Sequence, residues 1–347
     1  MSIEMWLRFD IRGAGIAASS ATLCSAAIEQ AVWAERNGFD AILFGEHHGT
    51  DDGYLPSPMI LASAVAARTQ RIRLQLGALV VPLSHPLRIA EDVAVLDNVS
   101  NGRVDVTIGV GYVPSEFAMF GVDYQRRGAL ADEYIAAMRG AFSGKPFTYR
   151  GKQVRVSPEP AQPGGPEIMV AGAMKVSALR AARLGDGFFP TVPTAELFDL
   201  YRSECERVGR PIGRCIDMSG PTSIHVSHDP ERDWARVGPH FLHETINYRR
   251  WARESGTLTN YPNDVMNLDE LKATGAYHVV TPDECVSLLN RERAAGRYIM
   301  FNPLCGGIHP DIAWESLELM ASDVLPRFRH QLSPRSVTLA PALPGAT

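Results

Sequence analysis

The stretch Ala41-Ile-Leu-Phe-Gly-Glu-His-His-Gly49 is the one around which the fold of this chain can be predicted. Its first four residues form a short apolar run, which predicts a buried strand. The run ends in one acid and two imidazoles and is followed by the loop Gly49-Thr-Asp-Asp-Gly53. Polar groups at the carboxyl end of a buried strand are typical of the sites of α/β proteins. Because side chains alternate along a strand, we expect His47 and His48 to point in different directions.

Strand and helix patterns alternate on both sides of this stretch. We predict helices over 21–37, 58–68, 86–99, 129–142, 175–184, 194–208, from 281 onward and over 311–328, with Ser57 and Thr194 as N-caps. The predicted strands are 5–9, 41–44, 72–81, 103–108, 167–170, 187–189, 218–226 and 298–301. Eight strands separated by helices favour parallel pairing, and a closed (β/α)8 TIM barrel is the simplest arrangement. A doubly wound sheet with a second domain is the alternative.

Two segments interrupt the alternation. Residues 144–166 predict a hairpin and a Pro/Gly-rich loop, and residues 229–277 predict an irregular, mostly helical insertion after the seventh strand. We find no linker, and therefore expect one domain over residues 1–330. Residues 331–347 are rich in Pro and Ala and predict a flexible C-terminal tail.

Composition excludes several classes of protein. The chain has 347 residues, 45% of them apolar, which suffices for a large core. A formal net charge of -5 is unlike the basic face of nucleic-acid-binding proteins, so we expect no nucleic-acid partner. The five cysteines lack CxxC spacing and indicate neither a disulfide framework nor a zinc site. We see no apolar run long enough to span a membrane and no signal peptide in the first residues, so we expect a cytoplasmic protein.

The two histidines allow three interpretations. Metal ligands on a strand usually occupy alternate positions, and no second histidine pair supplies further ligands, so we expect no metal site. A purely structural pair stays possible. We favour an imidazole in a pocket, where it can donate or accept a proton near neutral pH.

Gly13-Ala-Gly15-Ile-Ala-Ala18 mimics a dinucleotide-binding fingerprint, since it follows a predicted strand and precedes a helix. The acidic partner of such a motif belongs about 20 residues further on. Glu46 ends the next strand but lies much farther along the chain. We therefore interpret the motif as a loop near the carboxyl ends of the strands.

Three glycine-containing stretches come late in strands or directly after them. Gly77 and Ala78 leave room for a flat group to approach the backbone, although a bulge explains them equally well. Gly109-Val-Gly111-Tyr112 and the nearby Glu116 offer close backbone approach, an aromatic ring and a carboxylate, as would an ordinary turn. Gly172-Ala-Met-Lys175 precedes a helix, whose free N–H groups can bind an anion.

Taken together, several motifs resemble the bacterial luciferase-like family of flavin-dependent monooxygenases. They cover residues 40–190 well and 280–328 moderately. These motifs are Phe44-Gly-Glu-His-His48, Ser57-Pro58, Arg68-Thr-Gln-Arg-Ile-Arg-Leu74, Pro82-Leu-Ser-His-Pro-Leu-Arg-Ile-Ala-Glu-Asp92, Leu96-Asp97, Asn101-Gly-Arg103, the segment from Gly109 to Gly121, Arg180-Ala-Ala-Arg-Leu-Gly-Asp-Gly187 and Gly306-Gly307.

The resemblance implies a (β/α)8 barrel, usually dimeric, that binds FMN at the carboxyl ends of its strands. It assigns the functional histidine to His47 and an acidic position near the flavin ring to Glu116, as the catalytic pair. The ring would lie on a strand bulge, often with a cis peptide, at Gly77 and Ala78. The other positions implied for the cofactor are Gly109, Gly111 and Tyr112, with Arg127, Gly172, Ala173, Met174 and Lys175 toward the phosphate.

The implied function is oxygenation of a small or medium apolar organic substrate by reduced FMN and O2, with a separate flavin reductase as a possible partner. We expect walls from Phe44, Tyr112, Phe117 and the insertion to exclude water from the site. This chain has Val110 where many relatives carry Arg, and Ala173-Met174 where they often carry Gly-Ser or Ser-Ser. Two alternatives therefore stay open, a deazaflavin (coenzyme F420)-dependent oxidoreductase that transfers hydride, and a non-catalytic flavin-binding relative.

Overall fold

The structure is a computed structural model that describes residues 4–13, 15, 17–262 and 264–330. The predicted C-terminal tail, residues 331–347, lies outside the described residues, as do Ala14 and Ile16 of the glycine motif.

A curled sheet of eight parallel strands forms the centre of the molecule. In spatial order its strands are β12, β1, β2, β3, β4, β7, β8 and β9. The described strands in chain order are β1 (Met5–Phe9), β2 (Ala41–Phe44), β3 (Arg73–Val80), β4 (Val104–Gly109), β5 (Phe147–Tyr149), β6 (Lys152–Val154), β7 (Ile168–Ala171), β8 (Gly187–Phe189), β9 (Arg214–Cys215), β10 (Ser223–Val226), β11 (Tyr277–Val280) and β12 (Ile299–Phe301).

Helices cover the outside of this sheet. They are α1 (Ser20–Arg36), α2 (Pro58–Arg68), α3 (Pro86–Ser100), α4 (Pro114–Phe120), α5 (Arg127–Phe142), α6 (Lys175–Leu184), α7 (Ala195–Val208), α8 (Pro230–Ser255), α9 (Leu268–Ala273), α10 (Pro282–Ala294), α11 (Pro310–Leu319) and α12 (Leu325–His330). Short 3-10 turns lie at Val81–Leu83, Tyr124–Arg126 and Cys305–Gly307, and a π-helical turn, Met320–Val324, joins α11 to α12.

The curl of the sheet brings distant strands together on its inner face. Trp6 of β1 packs edge-on against Phe189 of β8, with ring centroids 6.4 Å apart. Trp6, Leu43, Met169 and Ile216 form one buried apolar cluster, although they come from four different strands or strand ends. Between the two edges of the sheet, the backbone N–H of Tyr298 donates to the carbonyl of Asp217 at 3.0 Å.

Local sequence signals account for most of these elements. The strands 5–9, 41–44 and 187–189 and the helices 58–68 and 175–184 have the predicted bounds. The Thr194 hydroxyl accepts a hydrogen bond from Leu197 N, which confirms it as the N-cap of α7. Ser57 occupies the predicted N-cap position of α2, although its side chain makes no capping hydrogen bond, and Pro58 begins the helix with its fixed φ.

The prediction for the seventh strand is wrong. The main sheet instead uses Arg214–Cys215, two residues that are too few to give an alternating pattern. Ser223–Val226, the end of the predicted strand, pairs with Tyr277–Val280 in a separate two-stranded parallel sheet.

Three further predictions need revision. The insertion 229–277 is more regular than expected, since it contains the 26-residue helix α8 with Pro239 inside it. Helix α4 was not predicted, because its seven residues are shorter than a clear helical period requires. The last predicted helix is divided by the π-helical turn. The segment 144–166 contains the predicted hairpin, β5 and β6.

Among the described helices, none combines the length and the apolar character that crossing a membrane requires.

Candidate active site

Three polar residues follow β2, and their side chains diverge as strand alternation predicts. The imidazole of His48 lies 2.8 Å from Glu46 Oε1 and packs edge-on against Phe120. Glu46 Oε2 in turn accepts the backbone N–H of Val80 at 3.1 Å. His47 points away from this pair into the interior, with 7% of its surface exposed. His48 therefore makes local contacts within the loop, whereas His47 is the histidine that faces the interior.

Glu116 fixes the orientation of His47. It lies in the first turn of α4, and its Oε1 is 2.7 Å from His47 Nδ1 and 2.9 Å from the backbone N of His48. Carboxylate oxygens accept hydrogen bonds, so the contact assigns Nδ1 as the donor, and Nε2 is the other ring nitrogen of His47. The other oxygen, Oε2, has no hydrogen-bond partner among the described residues, although Glu116 is 1% exposed. The structure thus brings the two predicted catalytic residues into direct contact.

Four aromatic rings surround the His47 imidazole. Trp251 stacks on it with centroids 4.4 Å apart, while Tyr54, Tyr112 and Tyr248 contact it edge-on at 4.8, 5.6 and 5.9 Å. We call Tyr54, Tyr112, Tyr248 and Trp251 the aromatic cluster. Burial raises the pKa of Tyr54 and of Tyr112, so both hydroxyls stay protonated at neutral pH.

Only some of the residues predicted to form the walls of the site contact His47. Tyr112 and the insertion, through Tyr248 and Trp251, do contact His47. Phe44 and Phe117 do not contact its ring in this way, because each is buried in packing of its own. Phe44 lies 6.5 Å from the Phe9 ring, and Phe117 lies 5.2 Å from the Tyr124 ring.

The carboxyl ends of β3 and β4 expose backbone next to this cluster. The Gly77–Ala78 peptide is cis, and the register of β3 with β4 shifts between Gly77 and Leu79, as in the bulge that the resemblance implies. A Cβ on Gly109 would lie 3.1 Å from the Cβ of Ala78, so the bulge and the end of β4 are adjacent. Gly111 has φ +73°, and a Cβ there would lie 2.7 Å from Val80.

These small residues make a surface that fits a flat ring. Gly77, Ala78 and Gly109 carry one methyl group between them and are partly exposed, whereas Leu76 and Ile108 directly before them are fully buried. The isoalloxazine of a flavin could therefore lie against backbone here, beside Tyr112 and within reach of His47.

The residues expected at the phosphate end lie on two other loops. Gly172, with φ +152°, and buried Ala173 follow β7, while Met174 is 48% exposed. A Cβ on Gly172 would overlap the Ser177 hydroxyl at 2.1 Å, so the loop folds tightly onto the start of α6. Lys175 is exposed and pairs with Glu196. Arg127 donates to the carbonyl of Tyr124 at 2.8 Å and lies over its ring.

A buried charged cluster, which we did not predict, lies behind the aromatic rings. We call it the arginine cluster, and its members are Arg8, Asp10, Arg12, Asp52 and Glu244. Burial alone would raise the pKa of Asp52, but the hydrogen bond from His243 at 2.9 Å and the charge of Arg12 outweigh it and lower the pKa to about 2. The sequence signal was the alternation of charges in Arg8-Phe-Asp10-Ile-Arg12, which places three charged residues on one face of a strand end.

Among the described residues, no three His, Cys, Asp or Glu side chains are arranged to hold a metal ion. What the arrangement offers is a fixed imidazole with one free nitrogen, an aromatic wall and accessible backbone at the carboxyl ends of parallel strands. This combination suits proton transfer or hydrogen bonding to a reacting group on a flat cofactor, shielded from water.

Comparison with known proteins places these features in a family. The family model described as luciferase-like monooxygenase matches residues 1–295. The chain is 25% identical over 332 residues to 4-hydroxyprotoasukamycin monooxygenase of Streptomyces nodosus subsp. asukaensis, covering 88% of this chain and 87% of the relative. It is 33% identical to the uncharacterized protein y4vJ of Sinorhizobium fredii over 178 residues, 50% of this chain and 51% of that relative.

Solved structures share the fold. The oxygenating constituent of 3,6-diketocamphane monooxygenase from Pseudomonas putida, in complex with FMN, superposes with a TM-score of 0.71 at 20% identity, covering 94% of this chain and 99% of that one. An F420-dependent secondary alcohol dehydrogenase gives a TM-score of 0.64 at 16% identity, covering 90% of this chain and 98% of that one. The family model spans most of the chain and the fold agrees with it, and the protein is therefore an enzyme of the luciferase-like monooxygenase family.

Proposed function

We propose that the protein is a monooxygenase that uses reduced FMN and O2 to oxygenate a small or medium apolar organic substrate. The observation that carries this proposal is the placement of His47. Its ring is held by Glu116 at 2.7 Å and enclosed by the aromatic cluster. It follows β2, which pairs with β3, and the partly exposed Gly77 and Ala78 lie late in β3, beside Gly109 of β4. FMN, when bound there, would supply the electrons that activate O2.

In this proposal the chain's own residues bind, orient and shield. Gly77, Ala78, Gly109, Gly111 and Tyr112 would contact the flavin ring. The loop of Gly172, Ala173, Met174 and Lys175 would hold the phosphate through backbone N–H groups, with Arg127 nearby.

His47 and Glu116 act as a pair on the reacting atoms. With Nδ1 donating to Glu116, His47 Nε2 can accept a proton or, once protonated, return it to the oxygen being transferred. Trp251 and Tyr248 of α8 would keep water away from this atom, which protects reactive oxygen species from side reactions.

The proposal also covers domain organisation, assembly and a partner protein. We propose that residues 1–330 form one domain whose sheet closes as a TIM barrel, supported by the Tyr298–Asp217 hydrogen bond and the shared inner cluster. We also propose that the protein is cytoplasmic and forms a homodimer. The dimer is supported by Ile60, Val95 and Val99, which are 74%, 49% and 51% exposed on the adjacent helices α2 and α3. A separate flavin reductase would deliver the reduced cofactor.

Two cofactor titrations test the cofactor assignment. The purified chain is titrated with FMN and with the deazaflavin F420, each oxidised and reduced, and binding is followed by absorbance and fluorescence. We expect tighter binding of reduced FMN. Tight F420 binding without FMN binding would instead establish the hydride-transferring alternative, which the shared fold with an F420-dependent dehydrogenase keeps open.

Oxygen consumption tests the reaction. With reduced FMN supplied, a panel of medium-chain aldehydes, cyclic ketones and terpenes is screened for substrate-dependent oxygen uptake and an oxygenated product. His47→Ala should lower the rate by about 100-fold or more, since it removes the proton-transferring group. His48→Ala is the matched control and should retain most of the rate. Tight flavin binding with no substrate-dependent oxygen uptake would support a non-catalytic flavin carrier.

A further inference from the structure

Two arginines enter the interior from the end of β1, and their environments differ. Arg8 and Arg12 are 6% and 0% exposed. Both terminal nitrogens of Arg8 are paired: Nη1 donates to Tyr261 OH and lies 3.0 Å from Glu244 Oε1, and Nη2 donates to Tyr248 OH at 2.7 Å and to Asp10 at 3.2 Å. Its position is explained by these contacts.

Arg12 has no such partners. Nε, Nη1 and Nη2 make no hydrogen bond to any described residue. The nearest carboxylate oxygens are those of Asp52 and Asp10, 3.6 and 3.8 Å from Nε. These carboxylates neutralise the charge of Arg12, but both distances are too long for a hydrogen bond. The guanidinium lies instead against the rings of Tyr54, Tyr248 and Trp251, at 4.5, 4.8 and 5.2 Å. Ring faces stabilise the cation but leave its N–H donors unsatisfied.

The backbone holds Arg12 in this position at a cost. Ile11, directly before it, has φ +56°. A β-branched residue rarely adopts this left-handed conformation, which persists only where the surrounding structure imposes it. The turn at Ile11 brings the Arg12 side chain back into the interior instead of letting it reach solvent.

The charge balance of the arginine cluster shows what kind of group Arg12 lacks. Glu244 and Asp52 alone balance Arg8 and Arg12, and Asp10 adds a third carboxyl group. A further anion would be repelled by carboxylates within about 4 Å of Arg12, and this repulsion is strong in a buried site. Arg12 therefore lacks hydrogen-bond acceptors, not negative charge, and a neutral carbonyl oxygen supplies them without adding charge.

The same rings connect Arg12 to the reacting centre. Tyr54, Tyr248 and Trp251 contact both the Arg12 guanidinium and the His47 imidazole. We propose that Arg12 is a specificity-determining residue that binds a neutral carbonyl oxygen of an otherwise apolar substrate and so positions it beside His47. This inference rests on the proposed function and names the class of substrate for that site.

Three matched probes test it by binding: 2-decanone, its methylidene isostere 2-methyldec-1-ene, and decanoate. They share an apolar chain and differ at the group that would face Arg12. Binding to the full-length chain, with and without FMN, is followed by tryptophan fluorescence and calorimetry. We expect the ketone to bind about 10-fold or more tighter than the alkene and the carboxylate, since a hydrogen bond to a buried charged donor is at stake. If the ketone binds no tighter than the alkene and the carboxylate, the inference is overturned.

Variants of the two arginines separate recognition from structure. Arg12→Met should weaken ketone binding by about 10- to 100-fold and leave alkene binding within about 3-fold, which a merely structural role would not do. Arg12→Lys keeps the positive charge but loses the planar set of N–H donors, so its affinity for the ketone should lie between those of the wild type and Arg12→Met. Arg8→Met is the matched control, and should lower the melting temperature without abolishing the ketone preference. If Arg12→Met and Arg12→Lys bind ketone and alkene in the wild-type ratio, Arg12 does not select the substrate.

Failure of the role proposed for Arg12 and failure of the monooxygenase proposal give different results. If the wild-type chain binds no FMN, or shows no substrate-dependent oxygen uptake, but still prefers the ketone, only the monooxygenase proposal is contradicted. Substrate-dependent oxygen uptake in a protein with no ketone preference contradicts the role of Arg12 alone.

Discussion

Polar side chains near the amino and carboxyl ends of the central strands differ in how completely they are hydrogen-bonded. At the amino ends of β3 and β4, every polar side-chain atom of Glu35, Asp97 and Arg103 has a hydrogen-bond partner. At the carboxyl ends, Asp10, Arg12 and Glu116 each keep at least one polar atom without a partner among the described residues, although none is more than 1% exposed.

Arg103 illustrates the amino end. Its guanidinium makes five hydrogen bonds, to the carbonyls of Ser100, Ile72, Ala66 and Thr69 and to the Thr69 hydroxyl, all between 2.6 and 3.0 Å. These bonds tie the end of α2 and the loop before β3 to the start of β4. An arginine used in this way closes the fold and leaves no donor for a ligand.

Leaving a buried polar atom unpaired is unfavourable, so the unpaired atoms of Asp10, Arg12 and Glu116 are informative. The comparison teaches that Glu35, Asp97 and Arg103 use their polar atoms to hold the fold together, while Asp10, Arg12 and Glu116 keep polar atoms that the proposed function assigns to ligands. Substitutions at the two ends should therefore separate, with activity lost at one and stability lost at the other.

The largest expected effect comes from Glu116→Ala at the carboxyl end. Without the carboxylate, His47 Nδ1 loses the partner that fixes its ring. Oxygen consumption, with reduced FMN and the substrate found in the panel, should fall by about 100-fold or more while the melting temperature changes by only a few degrees. Glu116→Gln, which keeps an acceptor oxygen, is the control and should lose less. An unchanged rate in Glu116→Ala would remove Glu116 from the mechanism.

Arg103→Met at the amino end should give the opposite pattern. It leaves four carbonyl groups and a hydroxyl without their buried donor, and we expect a loss of about 3 kcal/mol in the free energy of unfolding. Denaturant or thermal unfolding measures this loss, and the activity of the folded fraction should stay within about 2-fold. Arg88→Met, which removes only an exposed ion pair with Glu91 and Asp92, should cost less than about 1 kcal/mol. Equal stabilities of the two variants would contradict the contrast between the ends.

The smallest expected effect is pH-dependent and belongs to Glu35. Burial acts to raise its pKa, but hydrogen bonds from the backbone N–H groups of Arg71, Ile72 and Gln70 outweigh it and lower the pKa. A lowered folded-state pKa stabilises the fold above the unfolded value near 4.5, and this stabilisation is lost as the pH falls through the folded value. Glu35→Gln should therefore be less stable than the wild type at pH 7, by less than about 1 kcal/mol because solvent screens this partly exposed group, and the two melting temperatures should converge as the pH falls below 4.5. Parallel curves across this range would show that the carboxylate charge contributes nothing.

Much of this comparison could be anticipated from local sequence. The apolar runs of β1 and β2 and the capped helices gave the order of elements, because short-range periodicity and turn residues determine them. The divergence of His47 and His48 followed from strand alternation. Choosing His47 relied on the family resemblance. The structure then shows His47 in contact with Glu116, 69 positions later.

The errors have a common physical cause. Arg214–Cys215 joins the sheet because neighbouring strands hold it there, and two residues carry no periodic signal of their own. Ser223–Val226 has the composition of a strand, but its partner, Tyr277–Val280, is distant in sequence, because α8 and α9 lie between them in the chain.

By itself, the sequence determined an alternating α/β chain with its polar groups at the carboxyl ends of buried strands. Only the tertiary structure brought Arg12, His47 and Trp251 around the same rings, since they lie on segments far apart in the chain. Local preferences specify which face of each segment is buried. Which buried groups meet, and which of them stay unpaired, depends on how the sheet curls and where α8 packs across it.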